Sequence, residues 1–189
     1  MPPTPLLSRT ISTAMLAGAL FVAEAATELA HRQAERFVSV GDYLVEIFFG
    51  LALAAASVAL FSLRVAGGRV RIGAGVAAAG QAALAVCSVA TIIHGSDALG
   101  PLFVLGLLAS LAGFAIIATS ARAVGLVLGL GFVASMAVPH GGAAIIGLAW
   151  LTVSVLLRGP AGVGGRRGTA RRAAPRARLD GMGPQRADG

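Results

Sequence analysis

Glu24, Glu28, His31 and Glu35 fall within about 60° of one another when the chain is wound at 100° per residue, so a helix there presents all four on one face. Carboxylates and an imidazole on one stripe are the ingredients of a metal site or a proton relay. Glu28-Leu29-Ala30-His31 is moreover an E-x-x-H, the i, i+3 pair that di-iron helix bundles aim inward. Those bundles take a second E-x-x-H and further glutamates from partner helices, and this chain has a single copy. Simple electrostatics covers most of the stripe. Glu28 and Arg32 are an i, i+4 pair in the favourable order, and His31–Glu35 and Arg32–Glu35 are also in range. Glu24 is left over.

If a membrane-crossing helix begins at Ile11, Glu24 lies about 20 Å along it, still within a ~30 Å hydrocarbon layer. An acid at that depth is costly, faces other helices and marks a functional site. Glu46, four residues into the next apolar segment, is its expected neighbour. Glu24, Glu28 and Glu46 are therefore the candidate proton- or ion-linked residues. His31, His94 and His140, with Asp97, are a second candidate set, for zinc or iron. Polar turns such as His94-Gly95-Ser96-Asp97 and Pro139-His140-Gly141-Gly142 account for the same histidines without a metal. The expectation is no cofactor, with a metal ion at these histidines as the alternative. No serine stands in a G-x-S-x-G elbow and no nucleophile–base pair can be named, so no catalytic residue is assigned. Cys87 is the single cysteine; it sits in an apolar run and reads as a small hydrophobe.

The elements that must position these residues follow from composition. Of the 189 residues 57% are hydrophobic and 12% charged, against about 45–50% and 25% in soluble domains. A soluble domain of this size has too little interior for that much apolar side chain. The fold class is an all-α, polytopic transmembrane helix bundle. Its apolar segments are Ile11–Ala23, Tyr43–Leu63, Ile72–Ile93, Leu102–Ala118, Ala123–Val138 and Ala143–Leu157. The last two are shorter than the ~20 residues a crossing needs. Six spans is the expected count, with four spans plus a short re-entrant helical pair as the alternative. Ser39-Val40-Gly41-Asp42 fits the capping box and should start the second helix. Arg9 before the first run and Ala23-Glu24-Ala25 after it also resemble a cleavable leader. Glu24 at the cut and helix-favouring sequence to Phe37 argue against cleavage, and either outcome leaves residue 30 on the same side. Ala14-x-x-x-Gly18, Ala74-x-x-x-Ala78 and Gly125-x-x-x-Gly129 resemble helix-packing motifs, but small residues are too common here for the matches to stand out.

Orientation follows from arginine, which supplies all 15 basic residues. Alternate crossings put Arg9, Arg64, Arg69, Arg71, Arg122 and the tail on one face, with Arg32 and Arg36 alone on the other. That face should be cytoplasmic. The expected organisation is a cytoplasmic segment at 1–10, a transmembrane domain at 11–158 and a disordered basic cytoplasmic tail at 159–189, in a bacterial plasma membrane with both termini inside. The tail is rich in Gly, Pro and Arg and lacks apolar periodicity. Arg166, Arg167, Arg171, Arg172, Arg176 and Arg178 are expected to contact anionic lipid headgroups rather than nucleic acid. A second copy or another protein is left open as a partner. Gly162-Val163-Gly164-Gly165 follows no strand and lacks a Lys-Ser/Thr ending, so it is no phosphate loop. The function expected from sequence is a non-catalytic scaffold, partner-binding protein or accessory subunit. The alternatives are a small proton- or ion-coupled transporter using the outer-half acids, and a metal-dependent membrane enzyme using the outer-face histidines.

Overall fold

The computed structural model describes residues 5–31, 39–94 and 99–159. Arg32, Glu35, Arg36, Asp97 and the tail arginines from Arg166 to Arg178 lie outside the described residues. The described residues form six α-helices, one for each apolar segment. They are α1 (Pro5–His31), α2 (Val40–Leu63), α3 (Gly68–His94), α4 (Gly100–Ala118), α5 (Arg122–Ala137) and α6 (Ala143–Arg158).

α1 begins on Pro5, whose fixed φ suits a first turn. It runs well past both ends of its 13-residue apolar core. On the N-terminal side Thr10, Ser12 and Thr13 return their hydroxyls to carbonyls one turn back, so polar residues continue the helix without an unmet donor. The capping box at the start of α2 is formed. Asp42 donates its backbone N–H to Ser39 Oγ at 3.3 Å, and Ser39 N–H donates to Asp42 Oδ2 at 2.9 Å. Pro101 occupies the first turn of α4. Helices α1 to α4 are long and apolar enough to cross a membrane. α5 and α6 have 16 residues each, about 24 Å of helix.

Each helix packs on its sequence neighbours and α6 returns to α1, so the six close into a ring. Neighbours run antiparallel. The His31 ring lies over Gly41 where α1 meets α2, and Ser88 Oγ donates to the Glu46 carbonyl between α3 and α2. Cys87 faces the Leu99 carbonyl across the α3–α4 turn, Gly125 lies against Ala118 across the α4–α5 turn, and Arg158 of α6 reaches Met15 of α1. One end of the ring therefore carries Arg9, Arg64, Arg69, Arg71, Arg122 and Arg158. The opposite, acid end carries Glu28, Asp42, Glu46 and the three histidines.

Closure depends on two glycines. A Cβ on Gly18 would stand 2.8 Å from the Gly147 carbonyl oxygen, and one on Gly147 would stand 2.9 Å from that of Gly18. α1 and α6 thus meet backbone to backbone. Polar side chains inside the ring tie helices together: Ser57 Oγ donates to the Ala78 carbonyl, and buried Gln81 donates to Ser110, which donates on to the Gly106 carbonyl. The outside is apolar all round. Leu16, Leu51, Ile72, Leu105, Leu130 and Leu148, one from each helix, are each more than half exposed. Such a surface suits hydrocarbon and would aggregate in water.

Candidate functional site

The ring has nothing but side chains on its axis, and towards the acid end they leave a cavity of about 210 Å³. All six helices line it, with Glu24 from α1, Leu53 from α2, Leu84 from α3, Leu107 from α4, Phe132 from α5 and Ile146 from α6. The α5–α6 turn contributes Val138, Pro139 and Gly142 as a roof.

Glu24 points into this cavity and is 7% exposed. Its Oε2 is buried and has no hydrogen-bond partner among the described residues. A buried polar oxygen normally has a partner, and leaving one unmet costs about 1–3 kcal/mol. A carboxylate in that position further calls for a proton or a cation. Glu24 is thus turned inward among the helices that line the cavity.

Glu28, one turn on, also lines the cavity, but both its oxygens are engaged. Oε2 accepts the Gly141 N–H at 2.8 Å, and Oε1 lies 3.4 Å from His140 Nδ1. Sequence alone paired Glu28 with Arg32; in the structure its carboxylate ties the α5–α6 turn to α1. Gly141 has φ +76°, a conformation that glycine adopts without strain and that directs its N–H at the carboxylate.

Glu46 is half-buried and lines a second cavity, of about 420 Å³, together with Ser88, Thr91 and Cys87. Phe49, Leu84 and Phe103 line both cavities and form the partition between them. Glu28 and Glu46 are the acids whose fields reach Glu24. Sequence made Glu46 its neighbour. The structure puts Glu28 in the same cavity and Glu46 behind the partition.

The histidines diverge. His31 is exposed, with Nδ1 3.2 Å from the Thr27 carbonyl oxygen, so the two ends of the E-x-x-H face apart. His94 is exposed at the end of α3, and His140 meets Glu28 with its side chain 76% exposed. Among the described residues no three His, Cys, Asp or Glu side chains are grouped to hold a metal ion. Asp97, the fourth candidate ligand, lies outside them.

Sequence reasoning missed the aromatic wall formed by Phe21, Phe49, Phe103 and Phe132. A signal was present for two of them. Phe21 precedes Glu24 by three residues and Phe49 follows Glu46 by three, so each ring shares a helix face with an acid. The two rings meet edge to face, with centroids 6.1 Å apart. No family model, curated protein or solved structure matches the chain.

Proposed function

We propose that this chain is a small proton- or ion-coupled transporter, in which the Glu24 carboxyl takes up and releases a proton or cation within the axial cavity. One observation carries the reading: a carboxyl oxygen buried without a partner among the described residues, in a cavity lined by all six helices. The chain is read as a six-span integral protein of a bacterial plasma membrane with the arginine end, and both termini, cytoplasmic. α5 and α6 support six crossings over a shallow re-entrant pair. Their connecting turn reaches Glu28, within one turn of the end of α1. A bilayer need thin only slightly around 24 Å helices, at a fraction of a kcal/mol per Å.

A scaffold or accessory subunit accounts for the apolar ring and the basic tail, but gives no reason for a partnerless acid on the axis. The metal-dependent enzyme finds no support in two exposed histidines and a third that sits beside Glu28. The test is proton movement in proteoliposomes containing a pH-sensitive dye, under an imposed potential. Wild-type vesicles should take up protons faster than protein-free vesicles, and Glu24→Gln should abolish the difference. Equal rates for wild type and Glu24→Gln would remove the proposal.

A further inference from the structure

We infer that the axial cavity is a binding site for a small monovalent organic ammonium cation bearing one aromatic ring or a compact branched alkyl group. The inference rests on the transport reading and names the class of solute. Size sets the first limit. An apolar protein cavity of about 150 Å³ holds benzene, so about 210 Å³ leaves room for one ring and a few further heavy atoms. The wall sets the second. Phe21, Phe49, Phe103 and Phe132 bring aromatic surface to the cavity, and aromatic faces attract quaternary ammonium groups.

Charge sets the third limit. Glu28 is committed to Gly141 and His140, so the partnerless oxygen of Glu24 is the acceptor that remains. The charged groups facing it are Glu28 on α1 and, behind the partition, Glu46 on α2. α3, α4, α5 and α6 present Leu84, Leu107, Phe132 and Ile146, and His140 on the turn is directed outward to Glu28. Once its proton leaves, Glu24 supplies one negative charge that no donor among the described residues meets, and one positive charge suits it. The donor set does not suit a hard metal ion, which takes six or more oxygens. Besides the two acids the wall offers the Ser135 hydroxyl, already donating to the Phe132 carbonyl. Binding is an exchange: the carboxyl O–H proton leaves to water as the ammonium enters, the carboxylate and cation pair, and no covalent bond to the solute forms or breaks.

Phenyltrimethylammonium is the probe, because it has the required size and cannot itself supply a proton. Protein in nanodiscs is titrated with it by calorimetry, and released protons are read with a dye in weak buffer. The expected result is saturable one-to-one binding with proton release, weakened at least about tenfold by Glu24→Gln and partly retained by Glu24→Asp. Leu107→Trp, which fills the cavity and leaves the carboxyl in place, should also abolish binding. tert-Butylbenzene, the uncharged molecule of the same shape, should not displace the probe. Absence of saturable binding, equal binding by Glu24→Gln, or displacement by tert-butylbenzene would overturn the inference. Proton flux that needs Glu24 without probe binding would keep the transport reading and sink the solute assignment. Probe binding without proton release would keep the site and sink proton coupling.

Discussion

Replacing Glu28 with alanine should loosen the roof of the axial cavity, and the structure indicates by how much. The carboxylate accepts the part-buried Gly141 N–H at 2.8 Å, from a side chain that is 13% exposed. A hydrogen bond to a charged group contributes about 1.5–3 kcal/mol net. The other contact, to His140, is 3.4 Å long and its imidazole is 76% exposed, so even with the ring protonated it belongs with surface pairs worth about 0–1 kcal/mol. The backbone contact should therefore dominate. Glu28→Ala is expected to speed amide hydrogen exchange at Gly141 roughly 10- to 150-fold if the turn opens locally. Glu28→Gln keeps an acceptor oxygen and should lose about half of that free energy. His140→Ala should speed exchange less than about fivefold. Exchange followed by mass spectrometry over Val138–Ala144 reads all three. The reasoning fails if Glu28→Ala leaves exchange unchanged, or if His140→Ala matches it.

Two other substitutions follow from the packing. Gly75→Ala meets only ordinary contact, its new Cβ standing 3.6 Å from Arg64, and should stabilise the folded chain by about 0.5–1 kcal/mol through helix propensity. Gly147→Ala gains the same propensity but drives a Cβ against the Gly18 carbonyl oxygen, and overpacking of about 1–3 kcal/mol should outweigh it. Thermal unfolding in detergent should move in opposite directions for the pair; movement in the same direction would discount the backbone contact between α1 and α6. Glu24→Met should raise thermal stability while abolishing proton uptake, because it removes an unmet buried oxygen worth about 1–3 kcal/mol and adds apolar surface to the cavity. A loss of stability would mean that Oε2 has a partner after all.

Local features were legible in the sequence because their causes are local. Apolar runs bounded by Arg, Gly and Pro gave the six helices, and Ser39 with Asp42 gave a cap that forms as its spacing implies. The burial of Glu24 is consistent with its place at the end of an apolar run. The partners of Glu28 could not, since the accepted N–H lies 113 residues away on a turn. Arg32, the nearer partner by sequence, lies outside the described residues. Ring closure was equally hidden. Gly18 and Gly147 are two small residues among many, and no periodicity distinguishes a glycine at a crossing from one facing outward.

The position of the cavity follows from how this ring is filled. Neighbour-only packing leaves an axis that side chains must occupy. Towards the arginine end Leu60, Ile117, Leu128 and Leu157 do so, each at most 2% exposed. Towards the acid end α3 passes from Leu84 to the small Cys87 and Ser88, while α2 and α4 supply the aromatic partition rather than a plug for the axis. The space beside Glu24 stays unfilled. A cavity of about 210 Å³ forfeits packing contacts that a filled axis would make, and the unmet oxygen adds to that loss. A large side chain at position 24 would reduce both penalties. A cavity and an unpartnered carboxyl oxygen coinciding on the ring axis are two departures from stable packing at one place, and such departures concentrate at functional sites. Glu28 fits the same account. It spends its carboxylate holding the turn above the cavity, so among the described residues the acid oxygen left unmet is the one buried at the cavity wall.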